Sequence, residues 1–183
     1  LDLKQSSPEP WLDWPTGTVV VSLSPDGNIA VASTKQHQLH GWETATRQPI
    51  FQPNEYPHSF TNFAFSRSAR GLLGLEEDGE LFHWDLERRR LSARFRIIPG
   101  RSRLPPRLSF MPDERFAVAF RSPLLRVIDL ENQKEILQLQ SNVPDGGSPQ
   151  LQVPHNGRFA VTGDASQNRL DFWNLFLHEN LGK

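Results

Sequence analysis

The side chains best suited to chemistry are six histidines, His37, His40, His58, His83, His155 and His178, and two acidic runs, Glu76-Glu77-Asp78 and Asp113-Glu114. Imidazoles and carboxylates that converge on one pocket can transfer protons or hold a metal. The spacing favours neither. No His-x-x-x-His or His-Glu-x-x-His pair is present, so no helix face gathers metal ligands. His83 precedes Trp84 in a strand-like run and reads as a half-buried strand residue. Both acidic runs fall at turns, where solvated charge is ordinary, with no nucleophile or base beside them. Asp145-Gly146-Gly147 lacks the strand–loop–helix setting of a phosphate loop. There is no Gly-x-Ser-x-Gly elbow. The sequence has no cysteine, which removes disulfides, thiolate ligands and a cysteine nucleophile. The expectation is a protein that is not an enzyme and needs no cofactor or metal.

One charge feature stands out. Arg88, Arg89, Arg90, Arg94, Arg96, Arg101, Arg103 and Arg107 follow one another with no acidic residue between Glu87 and Asp113. Two readings are open: a surface for an anionic partner, or solvated charge that protects a sheet edge from pairing with another chain. The run divides between turns at opposite ends of strands, and Arg94 and Arg96 share one face of a strand, with Ala93, Phe95 and Ile97 on the other. Aromatic residues do not interleave as a base-stacking platform requires. Formal net charge is −1, so no global field steers the chain to nucleic acid or membrane. Nucleic-acid binding is therefore not expected.

The elements that must carry these residues are short. Apolar runs last only a few positions, as in Val19-Val20-Val21, far from the ~20 needed to span a bilayer. The first residues, Leu1-Asp2-Leu3-Lys4, are not a secretion signal, and a cytoplasmic location is expected. A repeat organises the chain. A turn pattern (apolar–x–Pro–x–x–Gly–x–apolar) places its Pro position at 25, 67, 112 and 154, with spacings of 42, 45 and 42. A second marker, Trp42-Glu43, Trp84-Asp85-Leu86, Ile128-Asp129-Leu130 and Trp173-Asn174-Leu175, keeps spacings of 42, 44 and 45. Two markers in phase define one repeat. Between them lie strand-length segments. In the first unit these are 18–23, 29–33, 39–43 and a short 49–52; in the third, 107–110, 115–120, 124–129 and 136–140. Asp26-Gly27 supplies a tight turn, because Gly adopts positive φ freely.

Four short antiparallel strands in each unit of 40–45 residues is the plan of a propeller blade. The stretch Glu76-Glu77-Asp78-Gly79-Glu80-Leu81-Phe82-His83-Trp84-Asp85-Leu86 resembles the WD-repeat family: a turn Asp, a third strand, then Trp-Asp. The resemblance implies an all-β propeller whose Trp packs between blades. It also implies a network joining the turn Asp to a His and a Ser/Thr. Other units depart from it. Gln36, Ser122 and Gln167 stand at the turn-Asp position, only Trp84 is followed by Asp, and no Gly-His dipeptide precedes a blade. Packing must then replace most of that network. The expected division is 1–17 as the tail of a preceding blade, then blades at 18–59, 60–103, 104–148 and 149–183.

Leu1-Asp2-Leu3 lies in phase with the later third-strand markers, which predicts that the chain enters partway through a blade. Few residues follow Trp173 to make an outer strand. The expectation is an incomplete ring, the C-terminal part of one of roughly seven blades. It is completed by the rest of the same protein, another subunit or a second copy, since bare blade faces mark missing partners. The family resemblance implies a non-catalytic scaffold for protein–protein contacts. The alternative is a sensor propeller attached to an upstream effector domain of a signalling or defence protein. Partners in the family dock on the face made by inter-blade loops and second-to-third-strand turns. There Tyr56, His58, Arg101, Arg103 and Arg121 are the candidate partner-binding residues, since Tyr and Arg are enriched at interface hot spots.

Overall fold

Alternating apolar and polar residues at strand length, punctuated by Gly, Asn, Asp and Ser, fold as strands joined by tight turns. The computed structural model describes residues 15–51, 55–97, 106–140, 150–164 and 169–175. Its strands are β1 (Thr18–Leu23), β2 (Ile29–Thr34), β3 (Leu39–Glu43), β4 (Phe60–Phe65), β5 (Gly71–Glu76), β6 (Glu80–Asp85) and β7 (Arg90–Arg96). There follow β8 (Arg107–Phe110), β9 (Phe116–Arg121), β10 (Leu124–Asp129), β11 (Lys134–Gln140), β12 (Gln150–Gln152), β13 (Phe159–Asp164) and β14 (Arg169–Asn174). Four antiparallel sheets form in chain order: β1–β2–β3, β4 to β7, β8 to β11, and β12–β13–β14. The first strands lie side by side, β1 by β4, β4 by β8 and β8 by β12, as the innermost strands of adjacent blades do. Among the described residues the ring is not closed, and no helix is long and apolar enough to cross a membrane.

Register explains the repeat. Trp42, Trp84, Ile128 and Trp173 each sit on a third strand, opposite Ala30, Leu72, Ala117 and Ala160 of the second. Trp84, Ile128 and Trp173 point at the preceding sheet and are buried. Trp42, expected at an equally buried site, is only half-buried. It stacks on His40 with ring centroids 5.7 Å apart, on the face of the first sheet that no described element covers. The residue after the marker at Trp84 and Ile128 has its own task. Asp85 Oδ1 accepts the Arg88 N–H at 2.9 Å, and Asp129 Oδ1 accepts those of Glu131 and Asn132 at 3.0 Å each. A carboxylate here closes the turn into the outer strand. The following Leu86, Leu130 and Leu175 are buried.

The first turn of every blade has the same backbone. Gly27, Ala69, Glu114 and Gly157 each donate N–H to the carbonyl three residues earlier, with φ of 74°, 60°, 58° and 62°. That is the left-handed region, costly for side chains other than Gly. Ala69 and Glu114 show that the turn imposes the conformation regardless of residue. This recurrence also corrects the repeat alignment. The residue opening the turn is Ser24, Ser66, Met111 and Pro154, so His155, not Pro154, is the counterpart of Pro25, Arg67 and Pro112. The strands shift slightly from expectation: β9 runs 116–121 and β11 starts at Lys134. In the first blade the fourth strand reduces to a single bridge, Trp42 to Pro49, beside an Ile50 N–H to Gly41 carbonyl bond of 2.9 Å.

Three apolar clusters fill the junctions between sheets. The first is aromatic: Trp84 meets Phe60 and Tyr56 at 5.4 Å, Phe82 at 5.6 Å and Phe51 at 5.9 Å between ring centroids. Gly74 is required there, because a Cβ would stand 2.8 Å from Phe60 and 2.9 Å from Trp84. Polar ties run along the junctions. Glu114 accepts from Ser68 N–H and Oγ at 2.6 Å each, and Arg89 pairs with Glu43.

Candidate functional site

Antiparallel blades sort their turns onto two rims. The β2–β3, β5–β6 and β9–β10 turns lie on one, with residues 55–59; the β1–β2, β6–β7 and β10–β11 turns lie on the other. The first rim holds the described candidate residues, and the structure gives each an internal role. Tyr56 is half-buried, packed edge-on to Phe51 at 5.6 Å and to Trp84. Burial, helped by the neighbouring Glu55, pushes its hydroxyl up to about 12. His58 Nδ1 lies 3.0 Å from Glu76 Oε1, and its ring stands 4.7 Å from that of Phe82. Arg121, expected on a surface turn, is buried at the end of β9. Its Nη2 donates to the Glu77 carbonyl at 2.8 Å. Burial, with the Arg126 charge nearby, lowers its pKa. Arg101 and Arg103 lie outside the described residues.

Glu76, Asp78 and Glu80 bring carboxylate oxygens within 4.8 Å of one another. Alternating positions across the Asp78-Gly79 turn place all three on one side of β5 and β6, a spacing the search for histidine pairs passed over. This trio could ligate a hard cation, yet each member already faces a basic side chain of the chain itself. Arg94 donates to Glu80 at 2.8 Å and Arg96 to Asp78 at 2.7 Å, while His58 faces Glu76. Burial raises the Glu76 pKa against the opposing pull of His58; the Arg94 hydrogen bond lowers that of Glu80. His58 and Glu76 thus form a histidine–carboxylate pair, but its carboxylate is Glu76 at the end of β5 and not the turn residue Asp78 that the resemblance implied. An aromatic–hydroxyl link is present in the fourth sheet, where Trp173 Nε1 donates to Thr162 Oγ1 at 2.8 Å. Ala32, Gly74 and Ala119 hold the Thr162 position elsewhere.

Four arginines of the run are paired with carboxylates of the chain itself. Arg88 pairs with Asp85 at 2.6 Å, Arg89 with Glu43, and Arg94 and Arg96 with the acidic trio. These ties fit the edge-protection reading. On the opposite rim an open groove of about 500 Å³ is lined by His83, Ser92, Asp113, Arg115 and Glu131, among others. Burial lowers the His83 pKa, so its ring is neutral at pH 7. Arg115 is bound to Asp129 at 2.8 Å and to Glu131 at 3.4 Å. Burial works against ionisation of Asp129, but hydrogen bonds from Arg115 and Asn132 outweigh it and hold the carboxyl well below its usual range.

Sheets of three or four antiparallel strands, packed face to face around a shared row of first strands, define part of a β-propeller, with the fold of WD40 structures. Solved WD40 structures agree. The chain superposes on the RRP9 WD40 repeats with a TM-score of 0.63 at 9% identity, covering 90% of this chain and 53% of that one. On the U3-55K structure the TM-score is 0.61 at 8% identity, covering 90% and 54%. The chain thus spans about half the length of the solved structures it resembles. No protein-family model and no curated protein matches the sequence.

Proposed function

We propose that this chain is a non-catalytic WD-repeat scaffold for protein–protein contacts, the C-terminal part of a propeller whose ring other blades complete, acting in the cytoplasm. The rim of second-to-third-strand turns is its docking face. One observation carries the reading. Arg121 reaches from one blade beneath the neighbouring one and holds the Glu77 carbonyl at 2.8 Å, while the Glu77 side chain stands exposed. A buried guanidinium that braces a turn across a blade junction presents a rigid, preorganised rim, and preorganisation lowers the entropic cost of binding. Tyr56 and His58 brace the adjoining segment in the same way, and Arg101 and Arg103 are proposed as further partner-binding residues from the sequence alone.

Affinity capture with the intact protein tests this. Glu77→Arg on the docking rim should abolish recovery of a partner that the parent protein binds, while Arg67→Glu on the opposite rim should leave recovery unchanged. Melting curves establish that both variants remain folded. Recovery that survives Glu77→Arg but fails with Arg67→Glu would place the docking face on the wrong rim.

A further inference from the structure

The groove on the rim opposite the docking face lies between β4 to β7 and β8 to β11, two sheets that each carry four strands. Its shape therefore depends on neither end of the chain. Its volume of about 500 Å³ falls within the range of ligand sites, ~300–1,000 Å³. The floor is apolar, with Ala93 and Leu130 both buried. The half-buried His83 ring adjoins them and, being neutral at pH 7, does not repel a cation. Above the floor the lining is acidic. Asp113, Glu114 and Glu131 stand there against one guanidinium, that of Arg115. Arg115 is shared between Asp129 at 2.8 Å and Glu131 at 3.4 Å, so one positive charge already answers to two carboxylates. Asp113 Oδ1 accepts the backbone N–H groups of Arg115 and Phe116 at 3.2 Å each. Glu114 accepts from Ser68. Neither Asp113 nor Glu114 forms an ion pair among the described residues.

We propose that this groove receives an arginine side chain presented by an extended segment of a partner protein. Charge selects the occupant: surplus carboxylates attract a cation and repel phosphate groups. The arrangement selects a guanidinium. Its flat face can lie on Ala93, Leu130 and the His83 ring, while the donors at its edge reach carboxylates from two separate turns, β8–β9 and β10–β11. A metal ion fits less well. Among the described residues the acidic groups that converge closely enough to share one are Glu76, Asp78 and Glu80, none of which lines the groove. The groove is open along its length, which lets the segment that carries the arginine pass through. Neither the docking rim nor its residues take part.

The probe is a fluorescein-labelled, end-blocked peptide Gly-Ala-Arg-Ala-Gly, titrated against the intact protein by fluorescence anisotropy. It should bind saturably. The same peptide with citrulline, which keeps the shape and loses the charge, should bind about tenfold more weakly or worse, and a lysine peptide should also bind more weakly. The double variant Asp113→Asn, Glu131→Gln keeps the Oδ1 acceptor that the turn needs and should weaken binding by about tenfold. Ser92→Trp on the exposed edge of the groove fills it without changing charge and should abolish binding. Glu87→Gln removes an exposed carboxylate of the same rim outside the groove and should leave binding unchanged. Melting curves establish that the variants remain folded. The proposal is overturned by an absence of saturable binding at millimolar peptide, by equal binding of the citrulline or lysine peptide, by binding that persists in Ser92→Trp, or by an equal loss in Glu87→Gln. Partner capture that Glu77→Arg abolishes, found beside a groove that takes no peptide, would leave the docking reading standing while removing this one.

Discussion

Replacing Trp84 by Ala empties the centre of the first junction. The indole is fully buried, and four rings surround it at 5.4 to 5.9 Å. Neighbours from two blades, joined through the chain to rigid strands, cannot collapse far into the gap. Truncating such a site costs ~3–5 kcal/mol. For a protein of this size each kcal/mol moves Tm by roughly 2–4 °C, so the expected loss is roughly 6–20 °C. Phe51 lies beyond β3, so its contact with Trp84 at 5.9 Å bridges two blades. A cycle of Trp84→Ala, Phe51→Ala and the double variant, followed by urea unfolding at constant protein concentration, isolates the bridge. Touching residues couple by about 0.5–3 kcal/mol. If the two single losses add to within about 0.3 kcal/mol, or Trp84→Ala moves Tm by under about 3 °C, the packing account of the junction is wrong.

Thr162→Val should cost about 1–3 kcal/mol, because it strands the buried Trp173 N–H; urea midpoints of Thr162→Val against Thr162→Ser, which keeps the hydroxyl, check this. Acid should weaken the fold through His83. Its folded pKa lies below the ordinary value of 6.5 because burial disfavours the cation, so the unfolded chain binds the proton first and stability falls as pH drops below about 6.5 toward the folded value. Urea midpoints between pH 8 and 5.5 should show that loss in the parent chain and a smaller one in His83→Leu; parallel curves would remove His83 from the account.

Much of the architecture was legible because it repeats. Strand periodicity and the Trp-Asp markers report local backbone geometry, which the residues on either side decide. The all-β propeller and the third-strand placement of Trp42, Trp84, Ile128 and Trp173 therefore followed from spacing alone. The slip at Pro154 came from trusting a residue type where the turn selects a conformation: positive φ recurs at Gly27, Ala69, Glu114 and Gly157 with no shared side chain.

What tertiary structure decided lies one repeat away in sequence. Arg89 meets Glu43 and Ser68 meets Glu114 across 46 residues, and Arg121 meets Glu77 across 44. Charge and type at each position are printed in the sequence, but the partner depends on how adjacent blades rotate against one another. That is why Arg121 read as a surface anchor and proved to be a buried brace. The arginine run was open to two readings, a surface for an anionic partner or solvated edge charge, and the structure shows which carboxylates four of its members hold. The sequence by itself determined blades and their order; only their packing determined which charges are neutralised and which arginines are buried, because both depend on distances between segments that no local pattern encodes.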